Sequence, residues 1–161
     1  MTRFILTVGA VLAIAGAGAG TAAGACKTVS TADGARLNFV ATQEDRWGAA
    51  GIPFVNDFTD PNVSFAAWMK TAPGRLARMT RAIRAMQPPA AALTDGELRG
   101  LVTPITTNFA AALRHAKALY AATKAQDEQA AKAALARIRA TGRRSSALGK
   151  RYLVVLKRDY C

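Results

Sequence analysis

From Phe65 onward, apolar residues recur at the spacing of an α-helix. Phe65, Trp68, Met69, Ala72, Leu76, Met79, Ile83 and Met86 form a first seam, and from Met69 the steps alternate between three and four. A second seam runs through Leu98, Leu101, Val102, Ile105, Phe109, Leu113, Ala116, Leu119 and Tyr120. A third uses Leu135, Ile138, Gly142, Ser145, Leu148, Tyr152, Val155 and Leu156. The punctuation agrees with three segments. Asp60-Pro61 reads as a helix start, an acid at the cap and Pro at the first helical position. Pro88-Pro89 closes that element. Thr94-Asp95-Gly96-Glu97 has the form of a capping box, and Asp127, after the turn at 124–128, caps the last helix from about Gln129 toward Arg158. Pro73-Gly74 predicts a kink or a break, because Pro lacks the donor a helix interior needs, and Pro104 predicts a kink. Gly142 and Gly149 each cost about 1 kcal/mol of helix propensity against Ala, and they let a neighbouring helix come close. The expected fold is all-α, a three- or four-helix antiparallel bundle over residues 61–161.

Residues 26–60 are less regular. Gly34, Gly48, Gly51, Pro53 and Pro61 interrupt them. Ala35 to Trp47 predicts a short helix with Leu37, Val40 and Trp47 on one side, although Arg36 to Thr42 fits a short strand as well. Ile52 to Phe58 predicts an extended apolar segment lying on the bundle. An irregular N-terminal arm is therefore expected. Before it, Arg3, the apolar run Phe4 to Gly16 and the small residues Ala17 to Ala25 have the order of a secretory signal, with Ala23-Gly24-Ala25 fitting the cleavage rule. Five glycines between Phe4 and Ala25 argue against a retained membrane-spanning helix. The expected location is outside the cytoplasm: secreted, or in the cell envelope, in the periplasm or on the outer face of the cytoplasmic membrane.

Composition sharpens this picture. The 161 residues carry 22 Lys and Arg against 10 Asp and Glu, a formal net charge of +12. Without residues 1–25 only Arg3 is lost, leaving +11. Ala is the commonest residue, which suits closely approaching helices better than a sheet. There is one His and there are two Cys, so a zinc cluster, a two-histidine metal site and a dense disulfide framework are excluded. Cys26 follows the signal-like segment and Cys161 lies at the far end of the sequence. In an oxidising compartment the pair suggests a disulfide. The alternative is lipidation of Cys26, since Ala23-Gly24-Ala25-Cys26 is similar to a bacterial lipobox apart from the small Ala23 where a large apolar residue is usual. No C-x-x-C is present, so thioredoxin-like chemistry has no motif.

The Pro88-Pro89 break, the Ala-rich segment after it, the Gln126-Asp127 turn and the tail from Leu148-Gly149 to Cys161 resemble those of small secreted helical proteins of high-GC bacteria, many of them predicted lipoproteins. The resemblance covers about Met86 to Cys161. It implies an envelope-exposed helical hairpin or bundle and brings no activity with it.

Candidate chemistry is sparse. His115 lies one step off its seam beside Arg114 and Lys117. With Met79, Met86 and Phe109 it defines the alternative function, a bundle holding a small apolar molecule or haem. No C-x-x-C-H supports covalent haem, and Met at core spacing packs gaps. The acids sit at caps and turns, where they complement helix dipoles. No Glu-x-x-His, G-x-S-x-G or phosphate-binding glycine loop occurs. No cofactor, no metal and no catalytic residue is expected, and the chain reads as non-enzymatic. The basic residues rise above this background. Arg75, Arg78, Arg81 and Arg84 step by three along one helix, and Arg137, Arg143, Arg144 and Lys150 populate the last, whose basic run also holds Arg139, Arg151 and the closing Lys157-Arg158. They are the candidate anion-binding residues, facing an anionic envelope polymer, a lipid surface or a protein partner. No aromatic residues are interleaved with them, so specific nucleic-acid recognition lacks support.

Overall fold

A computed structural model describes residues 26–160. The signal-like segment 1–25 and Cys161 lie outside the described residues. Four helices follow one another: α1 (Thr31–Thr59), α2 (Phe65–Ala91), α3 (Gly96–Lys124) and α4 (Glu128–Asp159). They form an all-helical bundle in which α1 packs on α2, α2 on α3 and α3 on α4. Among the described residues there is no strand beyond one isolated parallel bridge between Lys27 and Tyr160.

Each helix starts on a side chain that accepts a free backbone N–H. Ser30 accepts from Asp33, Ser64 from Ala67, Asp95 from Glu97 and Leu98, and Asp127 from Ala130. The seams meet in one core. Trp68, Met79, Met86, Leu98 and Leu119 are fully enclosed, as is Phe54 of α1. Burial of each such side chain stabilises the fold by about 1.5–3 kcal/mol. The Trp68 indole donates to the Phe54 carbonyl at 2.8 Å. Its ring sits among Phe54, Phe58 and Tyr120, with centroids 5.2, 4.9 and 6.1 Å away.

The N-terminal arm is the main correction. Residues 31–59, expected to be irregular apart from a short helix at 35–47 and to be extended at 52–58, form the 29-residue helix α1. Their seam is present but disguised. Asp33, Leu37, Val40, Glu44, Trp47, Gly51, Phe54 and Phe58 alternate in steps of four and three, and three of these eight positions are polar or bare. Gly51 is bare for a packing reason: a Cβ there would sit 3.2 Å from the Trp47 ring, which lies back along the helix. Pro53 is accommodated, and its carbonyl accepts from Arg75 Nη1 at 2.7 Å.

The start of α2 is also corrected. Its cap is Ser64, and Asp60 instead ends α1, with its carboxylate accepting from the Asn62 backbone at 2.9 Å. α2 then continues through Pro73-Gly74 without a break and through Pro88-Pro89 as far as Ala91. Pro73 is exposed, so the carbonyl it leaves without a partner can be hydrated. Trp68, Ala72 and Leu76 on the core-facing side of α2 bury enough surface to offset the roughly 3 kcal/mol an interior Pro costs. α3 likewise runs through Pro104, and its cap is Asp95 rather than Thr94.

Candidate functional site

The acidic residues are mostly consumed by the fold. Asp33 is 1% exposed and sits at the start of α1. Its carboxylate accepts from the Thr94 N–H and hydroxyl, the Asp95 N–H and Arg36, at 2.7 to 3.1 Å. Burial alone would raise its pKa. The hydrogen bonds from Asp95, Thr94 and Arg36 overcome that and hold it well below the usual carboxylate range. Asp95 in turn caps α3 and accepts from the Tyr160 hydroxyl at 2.8 Å. Glu97 accepts from the same hydroxyl and from Lys27 Nζ, 2.6 Å away. Burial and the Asp95 hydrogen bond push the Tyr160 phenol far above its ordinary value. The Lys27 N–H donates to the Asp159 carbonyl at 2.8 Å, and its ammonium lies over the Tyr160 ring. This network ties the backbone next to Cys26 to the backbone next to Cys161 and to the α2–α3 connection. Three more acids are paired: Asp57 with Arg75, Glu128 with Lys132 and Asp159 with Arg158.

The basic residues divide differently. Arg75 serves the fold, because its guanidinium bridges the Asp57 carboxylate and the Pro53 carbonyl and is only 14% exposed. It is not a free cation. Arg78, Arg81 and Arg84 are exposed on α2, and Arg137, Arg143, Arg144 and Lys150 are exposed on α4. None of these seven has an ion-pair partner among the described residues. They do not all share one helix pair: α2 and α4 each pack against α3, not against each other. Two further members of the basic run on the last helix, Arg151 and Arg158, line a groove of about 570 Å³ with Glu97, Gly100 and Leu101 of α3 and with Val154 and Val155. Arg137, Arg144, Arg151 and Arg158 recur at a seven-residue spacing.

A second polar locus lies inside, where α1 meets α3 and α4. The Trp47 ring stacks at a tilt on Phe109, centroids 4.7 Å apart. Its Nε1 is buried with no hydrogen-bond partner. One helical turn earlier, Glu44 is half-buried, and burial, reinforced by Asp45, pushes its pKa up to about 7. Burial and the neighbouring Glu44 charge push Tyr152 of α4 up to about 12. Asn108 of α3 is satisfied, donating to Ser145 Oγ at 2.6 Å and to the Thr141 carbonyl at 2.9 Å. Met79, Met86 and Phe109, the candidate ligand-pocket residues, are packed in the core. His115 is half-buried, and burial together with Arg137 and Arg114 lowers its pKa.

Among the described residues, no cluster of three or more His, Cys, Asp or Glu side chains is placed to hold a metal ion. No helix among them is long and apolar enough to cross a membrane. No protein-family model, curated protein or solved structure matches the chain.

Proposed function

We propose that this chain is an exported, non-enzymatic bundle of the cell envelope that binds an anionic partner through its basic helix faces, with successive helices running antiparallel. The observation that carries this reading is the unequal use of charge. Nearly every acid is capped, paired or buried, whereas the excess cations stand exposed and unpaired on α2 and α4. α1 holds four acids and two arginines; α4 holds nine basic residues against Glu128 and Asp159 at its two ends. A surface that served solubility alone would intersperse both signs.

The export reading rests on the signal-like order of residues 1–25. The contact between Lys27 and the 159–160 backbone supports a disulfide between Cys26 and Cys161 over lipidation of Cys26, because it brings the two neighbouring backbones together. Intact mass of the protein from its native host separates the two. A chain of residues 26–161 gaining two hydrogens on reduction supports the disulfide; an acyl-sized excess on Cys26 establishes a membrane tether instead.

Binding is tested by titrating purified protein with linear polyanions across a salt series. Affinity that persists at physiological ionic strength, near 0.15 M, and falls steeply with added salt is expected. Binding indifferent to salt, or absent at physiological strength, refutes the reading.

A further inference from the structure

Resting on that reading, we infer that the groove between α3 and α4 lined by Arg151 and Arg158, together with Arg144 and Arg137 that extend the row along α4, is the seat of a linear polyanion. These arginines repeat at every seventh position of one helix. With 1.5 Å of rise per residue, successive side chains stand about 10 Å apart and the row extends about 30 Å. Arg151 and Arg158 share a groove with Glu97, Gly100 and Leu101, which puts this end of the row on the α3 side. Arg144 and Arg137 continue the row along the exposed surface of α4.

The surroundings favour an anion along this length. No acidic residue occurs between Leu98 and Gln126 or between Gln129 and Arg158. Glu97, at one end of the groove, is already paired with Lys27, and Arg158 with Asp159. Arg137, Arg144 and Arg151 have no ion-pair partner among the described residues. Gly100 presents no side chain to the groove, and a Cβ there would meet nothing within 4 Å. A flexible chain bearing many anionic groups can satisfy successive guanidiniums at about 10 Å intervals. A single small anion can satisfy one. The exposed large apolar residues of α4 are limited to Val154 and Leu153, which gives a bilayer little to take up.

The test uses labelled long-chain inorganic polyphosphate and the purified protein at physiological ionic strength. Arg144→Gln/Arg151→Gln, the groove variant, removes two cations of the row. Arg139→Gln/Lys157→Gln removes the same charge 100° or more around α4, away from the row. Thermal melts establish that both variants fold. The groove variant is expected to bind about tenfold more weakly, with the salt slope reduced by about 1.4 for two lost contacts. The other variant is expected to stay within about threefold of the native protein, as for a long-range screened effect. Equal weakening of the two overturns the groove while leaving an anion-binding surface in place. Vesicles of anionic phospholipid that bind more tightly than polyphosphate, with the same dependence on Arg144 and Arg151, overturn the polymer in favour of a membrane. Failure of the native protein to bind polyphosphate overturns this inference, and failure on every polyanion overturns the reading beneath it.

Discussion

Two carboxylates on the same helix seam face opposite physical situations. Asp33 is buried where four donors converge on it, so its ionised form is favoured; Glu44 is half-buried with no such donors, so its neutral form is favoured. Replacing Asp33 with Asn leaves one oxygen for donors that engaged two, and sets an amide N–H₂ against the Thr94 and Asp95 N–H groups. Asp33→Asn is expected to destabilise the protein by about 2–4 kcal/mol, read from denaturant melts. Glu44 acts on the pH dependence. Its folded pKa of about 7 lies above the ordinary 4.5, so between those values the native state holds more protons than the unfolded one. Stability therefore falls as pH rises from about 4.5 to 7. His115, whose pKa is lowered, pulls the other way below pH 6.5. The Glu44 contribution is thus the difference between the native protein and Glu44→Gln. That difference is expected to reach about 1–3 kcal/mol across the window, taking 1.4 kcal/mol per pKa unit and allowing for residual solvation. A difference that does not change with pH refutes the placement of Glu44.

The helices show how a packing seam hides when its positions are given other duties. α2, α3 and α4 could be read from apolar spacing because their seam positions hold Leu, Met, Ile and Phe. α1 could be read only in part, as a short helix at 35–47, because Asp33, Glu44 and Gly51 occupy seam positions, and each looks like a loop residue until its partner is seen. Those partners are Thr94, Tyr152 and the Trp47 ring, and two of the three lie far away in sequence. The prolines misled in the same direction: Pro53, Pro73, Pro88 and Pro89 all fall within helices, since burial across the bundle outweighs a missing donor. The candidate surface was more legible than the fold around it, because a solvated Arg needs no tertiary partner. Arg75 is the exception, and only the distant Asp57 reveals it. Glycines separate the two kinds of position. At Gly74 a Cβ meets nothing within 4 Å, so Gly74→Ala is expected to stabilise by about 0.5–1 kcal/mol through helix propensity. At Gly51 it would press on Trp47, so Gly51→Ala is expected to cost about 1–3 kcal/mol despite the same propensity gain. Parallel melts of the two variants should shift in opposite directions.

Taken whole, the molecule gathers its charge and its chain crossings at different places. Positive charge is spread along α2 and α4, where mutual repulsion opposes compaction. The Lys27–Glu97–Tyr160–Asp95 cluster joins the start of α1, the entry to α3 and the exit from α4 at one end of the bundle. A Cys26–Cys161 disulfide would reinforce that same end and close a loop of more than a hundred residues. The chain-entropy account then assigns about 4–5 kcal/mol to it, an upper figure because that account neglects native strain and residual structure in the unfolded chain. The noncovalent cluster contributes separately, with the single Tyr160 O–H, nearer Asp95 than Glu97, supplying a hydrogen bond of about 1–3 kcal/mol to a charged acceptor. Reduction is therefore expected to lower the denaturant midpoint without abolishing helicity, since the described core is built without cysteine. Tyr160→Phe should weaken both the oxidised and the reduced protein. If the disulfide already holds 157–160 in place, the loss should be larger after reduction, when this segment can fray independently. Urea melts of native and Tyr160→Phe protein, each with and without reductant, give the four midpoints. A midpoint unchanged by reductant in the native protein refutes the covalent closure, and equal Tyr160→Phe losses in both redox states refute its coupling to the cluster.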